Sequence, residues 1–162
     1  LLEKVEQGFI TLAQKLHGQP FTVVGEGTQT RDFLFVSDAV RALVMAAQSP
    51  LRNEVLNVGS GNTYSVNYIV ELIDGDVVHI PERPGEPDRT WADITKIRRL
   101  LGWEPQVPFE EGVTILLKHI DYWREAPVWT PVSIAEATRD WFKYLSDPPS
   151  LSTTPAPLGR QP

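Results

Sequence analysis

The side chains best suited to chemistry lie in one stretch, Gly25 to Val40, which reads GEGTQTRDFLFVSDAV. Glycine lacks a Cβ and reaches positive φ cheaply, so a turn at Gly25 and Gly27 can bring backbone N–H groups close to an anion. Thr28, Gln29 and Thr30 offer polar side chains beside it. Arg31 adds a planar fork of donors suited to phosphate oxygens. The plainer alternative is a hairpin turn carrying an exposed Arg31–Asp32 pair, which would contribute little. A second cluster, PERPGEPDR at Pro81 to Arg89, brings Arg83, Glu86, Asp88 and Arg89 onto a proline-stiffened loop. Such a loop is either solvated surface or a pre-ordered binding loop, which loses less chain entropy when a ligand docks.

Other chemistry has no residues to carry it. His17, His79 and His119 are scattered, without a carboxylate or second histidine at ligand spacing, so no metal site is expected. There is no G-x-S-x-G and no Walker phosphate loop. Gly59-Ser60-Gly61 follows an apolar run, but the third glycine of a dinucleotide fingerprint is missing, and a turn into a helix is the expected reading. Glu110 and Glu111 lie on a helix surface. On residues alone there is a candidate anion site and no catalytic group.

Composition narrows the class. The 162 residues suffice for one domain with a core, and 41% hydrophobic with 22% charged content is that of a soluble globular protein. A net charge of −6 disfavours nucleic-acid or membrane-surface binding but not a small anionic ligand held by two or three arginines. With no cysteine, disulfides and thiolate catalysis are excluded, and a reducing cytoplasm is the expected location. No apolar run reaches the length of a membrane span, and no signal-peptide pattern opens the sequence. Leu1 is not an initiator methionine, and the first residues already read as helix, as though the sequence enters in mid-fold.

These groups must be positioned by short alternating elements. Apolar spacing predicts a helix over Leu1 to His17, stopped by Gly18. Strands are expected at Phe21–Val24, Phe33–Val36, Val55–Val58 and Val77–Ile80. A helix capped by Ser37 should run to about Ser49, with Val40, Leu43, Val44 and Ala47 on one face and Asp38 at its positive end. Ser65 should cap a helix bearing Val66, Ile69, Val70 and Ile73, and Asp93 one ending at Gly102. Phe109–Glu125 should form one long helix, and Thr130-Pro131 should start another, burying Ile134, Ala137, Trp141 and Leu145. Ser146 onward is Pro/Ser/Thr-rich and reads as a disordered tail. The class is α/β.

GEGTQTRDFLFVSDAV resembles the extended short-chain dehydrogenase/reductase family, the NAD-dependent nucleotide-sugar epimerases, 4,6-dehydratases and decarboxylases. The resemblance continues in order through NVGSG (Asn57–Gly61), RPGEPDRTWADITKIRRLLGWEP (Arg83–Pro105) and PFEEGV (Pro108–Val113), covering roughly residues 1–126. It implies the C-terminal, substrate-binding portion of a Rossmann-like enzyme, followed by a helical extension at 127–145 and a tail at 146–162. It implies that Arg31 and Arg83 contact a nucleotide diphosphate, that Glu86 bonds the ribose hydroxyls, and that Thr22 and Val24 line the base pocket. It implies a nucleotide-diphosphate sugar as ligand, no metal, and a homodimer in the full-length enzyme. In that parent enzyme the sugar C4 hydroxyl would be oxidised by NAD and the 4-keto intermediate reduced, dehydrated or decarboxylated. A UDP-sugar 4-epimerase-like reaction is favoured over a 4,6-dehydratase or a UDP-glucuronate decarboxylase. The family's Gly-rich NAD loop and Tyr-x-x-x-Lys pair are not in this sequence, since Tyr64, Tyr68, Tyr122 and Tyr144 all lack Lys four residues on. The chain alone is therefore expected to carry no catalytic residue and no NAD site, and to be inactive. A non-catalytic nucleotide-diphosphate-binding fragment and a decayed product are the alternatives.

Overall fold

The computed structural model describes residues 11–146. The expected helix start at Leu1 and, apart from Ser146, the expected tail at 146–162 lie outside the described residues. Residues 11–16 form the described part of α1, with Leu12, Ala13 and Gln14 buried, and Gly18 ends it at φ +61°. β1 (Phe21–Val24) pairs in parallel with β4 (Val77–Ile80), Phe21 opposite Val77 and Val24 opposite Ile80. A second sheet is centred on β2 (Thr30–Arg31), which runs antiparallel to β3 (Tyr64–Ser65) and parallel to β5 (Arg89–Thr90).

The expected strand at Phe33–Val36 is not there; the ladder lies just upstream, at Thr30–Arg31. Phe33 and Leu34 instead point into different cores, as alternate residues of extended chain must. One core gathers Phe21, Ile69, Ile73 and Val113, with Phe33 and Phe109 against it. The other gathers Ala42, Ile94, Ile97 and Trp103, with Leu34 and Leu56 against it.

α2 (Val36–Gln48) starts after Phe35, and Ser37 does not cap it. Its buried side is Asp38 and Ala42, so the apolar face formed by Val40, Leu43 and Val44 is exposed. Val55–Val58 is not a strand: it has no ladder partner among the described residues, and Val55 is 81% exposed. A strand is made by its neighbours' hydrogen bonds as much as by its own β-branched residues.

α3 (Val66–Ile73) is capped as expected, the Ser65 hydroxyl accepting from Tyr68 N at 3.1 Å. In α4 (Thr95–Leu101) the Asp93 carboxylate accepts from Thr95 N at 2.9 Å, although Ile94 is the cap residue. The long helix expected over Phe109–Glu125 is shorter: α5 (Phe109–Lys118) gives way at His119 to a 3₁₀ turn, Ile120–Trp123. The last helix divides at Thr138 into α6 (Pro131–Ala137) and α7 (Arg139–Leu145). Ile134 is buried there and Trp141 partly so, whereas Ala137 and Leu145 are exposed. No helix among the described residues is long and apolar enough to cross a membrane.

Candidate functional site

The β2–β5 pairing decides where Arg31 meets the proline-rich loop. Thr30 N donates to Asp88 O at 2.8 Å and Asp32 N to Thr90 O at 3.0 Å, which draws residues 86–90 alongside β2. Arg31 Nη2 then donates to Glu86 Oε1 at 2.8 Å, while its Nη1 donates to Thr30 O at 2.9 Å. Arg83 approaches the other oxygen of the same carboxylate, with Nε 3.9 Å from Glu86 Oε2. Arg31 on β2 and Arg83 on the proline-rich loop, 52 positions apart in sequence, therefore converge on one anion.

All three side chains are mostly buried, with 14–19% of their surface exposed. A charge-assisted bond of this kind is worth about 1.5–3 kcal/mol. The Arg83–Glu86 separation is too long for a hydrogen bond, and Arg83 Nε and Glu86 Oε2 are both buried without a hydrogen-bond partner. A donor and an acceptor thus face the same gap.

Beside this triad opens a cleft of about 240 Å³ lined by Val24, Gly25, Glu26, Gln29, Glu86 and Asp88, among others. Val24 and Glu86 share it. Thr22 is not brought there: its hydroxyl accepts from Gln14 Nε2 at 3.1 Å, on the α1 side of β1. The cleft wall is rich in carboxylates, which only accept, so it suits hydroxyl and N–H donors better than phosphate oxygens. Gly27 closes the turn above it at φ +72°, packed so tightly that a Cβ would lie 2.8 Å from Val23 Cγ1.

Asp32 does not pair with Arg31. Its carboxylate accepts from Ser60 N and Ser60 Oγ, both at 2.6 Å, and from Ala92 N at 3.2 Å. It ties the Gly59–Gly61 turn to the segment after β5. The sequence offered no signal for this role beyond an acidic neighbour of Arg31.

The family description "NAD dependent epimerase/dehydratase family" matches residues 3–59, and "GDP-mannose 4,6 dehydratase" matches residues 75–116. A UDP-glucuronate 4-epimerase of Thermodesulfobacterium geofontis is 36% identical over 102 residues, 59% of this chain and 31% of that protein. A dTDP-glucose 4,6-dehydratase of Streptomyces niveus is 31% identical over 152 residues, 90% of this chain and 41% of that protein. Among solved structures, UDP-glucuronic acid 4-epimerase from Bacillus cereus, in complex with UDP-glucuronic acid and NAD, superposes with a TM-score of 0.67 at 31% identity. That match covers 72% of this chain and 40% of the epimerase.

The chain belongs to the extended short-chain dehydrogenase/reductase family of NAD-dependent epimerases and dehydratases. Its fold is the mixed α/β arrangement of its Rossmann-like structural neighbours. The chain spans about a third of the length of the first relative and two-fifths of the second.

Membership in this family raises the question of NAD, and the described residues do not fit it. The Gly59–Gly61 turn, which follows an apolar run, spends the Ser60 N–H on Asp32 rather than presenting it to a pyrophosphate. A Cβ at Gly59 would lie 2.5 Å from Asp32 Oδ2 and 2.6 Å from Ala92 Cβ, so the glycine serves close packing inside the protein. No chemical step is therefore routed through a nicotinamide here. Among the described residues no group of three or more His, Cys, Asp or Glu could hold a metal ion.

Proposed function

We propose that this chain is the nucleotide-sugar-binding portion of an NAD-dependent sugar-nucleotide epimerase or dehydratase, of the UDP-sugar 4-epimerase type. Residues 1–126 form that portion, 127–145 a helical extension to it, and the chain alone binds without turnover. The observation that carries this reading is the meeting of Arg31 and Arg83 at Glu86. A diphosphate offers what a guanidinium fork pairs with best, so its oxygens compete with Glu86 for both arginines. Glu86, released, accepts from a vicinal diol. A ribose hydroxyl both donates and accepts. One such oxygen, about 2.8 Å from each, satisfies both Arg83 Nε and Glu86 Oε2. The base then enters the carboxylate-lined cleft past Val24, where its N–H donors find acceptors.

Calorimetric titration with UDP tests the reading. Arg31→Ala and Arg83→Ala should each weaken binding by about tenfold or more, since each removes a charge-assisted bond. Unchanged affinity in both variants would sink the assignment. A dTDP-sugar 4,6-dehydratase portion is the second reading, favoured by the longer reach of the Streptomyces niveus similarity, which takes in nine-tenths of the chain. Tighter binding of dTDP than of UDP would select it.

A further inference from the structure

Residues 127–145 contact no ligand in the reading above, yet they touch its central loop. Two hydrogen bonds among the described residues help to fasten the extension to the body. Trp129 O accepts from Nε2 of Gln14, a side chain 1% exposed, at 2.8 Å. From there Thr130 and Ser133 form a reciprocal cap that aims α6, and Ile134 is buried beneath it. At the far end Trp141 Nε1 donates to Pro84 O at 2.8 Å. Between these points the two helices and the loop enclose an apolar cleft of about 300 Å³ whose wall includes Ile80, Arg83, Ile134 and Phe142.

The Pro84 carbonyl is not an arbitrary anchor. Glu86 N donates to Arg83 O at 3.2 Å, so Arg83-Pro84-Gly85-Glu86 is a four-residue turn. Proline second and a glycine third at φ +75° match type II. Types I and II differ by a flip of the central peptide, the one whose oxygen is Pro84 O. An indole N–H only donates, and proline has no N–H to offer, so the Trp141 bond exists only with that carbonyl turned toward α7. Arg83 and Glu86 are the first and last residues of the turn, so keeping it closed holds the guanidinium beside the carboxylate.

We propose that Trp141 is a positioning residue for nucleotide binding: through Pro84 it locks the type II turn that sets Arg83 against Glu86. This rests on the reading of Arg83 and Glu86 as ligand contacts, and its test is built to fail separately from that reading. Trp141→Phe in the full chain keeps an aromatic ring and removes the donor. Amide hydrogen exchange across residues 82–88 should speed by about fivefold, the equivalent of one neutral hydrogen bond, while α3 and α5 exchange as before. UDP should bind about fivefold more weakly by the same reasoning. Gly85→Ala attacks the same turn from the other side. A Cβ there meets nothing within 4 Å, so only the positive φ is penalised. It should weaken UDP binding too, and combining it with Trp141→Phe should add little, since both release one turn.

Unchanged exchange in 82–88, or faster exchange throughout the chain with a lowered melting temperature, overturns the role of Trp141. Additive effects of the two substitutions overturn it as well. Should the wild-type chain bind neither UDP nor dTDP, the ligand reading falls, and loop exchange still decides whether Trp141 holds the turn.

Discussion

Asp38 is 1% exposed and accepts from Gln106 N and Val107 N, each at 2.9 Å, and from Arg41 Nη2 at 3.0 Å. Its own carbonyl receives the indole N–H of Trp103, which is wholly buried. Burial pushes the Asp38 carboxyl up, but the Val107 and Gln106 amides and Arg41 outweigh it and hold the group below its ordinary 3.8. A carboxylate depressed in the folded state stabilises the fold above its unfolded pKa and loses that contribution as pH falls through the folded one. Acid unfolding of the wild type below about pH 4 should therefore carry an Asp38 component. Asp38→Ala should cost about 3 kcal/mol in urea melts at neutral pH, since the Gln106 and Val107 amides and the Arg41 guanidinium lose their acceptor, and should flatten that acid dependence. A residue readable only as a favourable charge in a helix's first turn is in fact the tie between α2 and the 103–107 segment. The tie spans 69 sequence positions, and no local pattern announces a bond of that range.

Local chemistry decided some elements and neighbours decided others. Ser65, Gly102 and the Thr130–Pro131 start act through hydrogen bonds and φ preferences within a few residues, so they were legible. Thr130→Ala should destabilise α6 by about 1 kcal/mol, seen as faster hydrogen exchange in residues 131–137. Val55–Val58 has strand composition and no strand to pair with among the described residues, so composition alone misled. Phe109–Glu125 carries an unbroken apolar stripe, yet the chain tightens at His119, where φ is −112°. Motif resemblance named Arg31, Arg83, Glu86 and Val24; the structure gathers the first three at one carboxylate and lines the neighbouring cleft with Val24. Thr22 was also named by it, but the side-chain amide of Gln14 claims that hydroxyl.

At the scale of the molecule, two modest cores meet at Phe33 and Leu34, and much apolar surface stays outside both. Leu43 is 68% exposed, on the same outer face of α2 as Val40 and Val44. Leu43→Lys should change stability by less than about 0.5 kcal/mol, because the side chain buries little. It should reduce binding of an apolar dye and improve solubility; a loss of several kcal/mol in thermal melts would show that Leu43 is packed.

The α/β class, the caps at Ser65, Gly102 and Thr130 and the two arginine-bearing segments were determined by the sequence itself, because periodicity, turn chemistry and donor type act over a few residues. Tertiary structure alone decided that Arg31 and Arg83 face one carboxylate, that Asp32 turns away to hold the Gly59–Gly61 turn, and that Trp141 reaches the loop that carries Arg83 and Glu86. Those outcomes depend on strand register and chain crossings tens of residues long, and the contacts they create leave no periodic mark on the residues that make them.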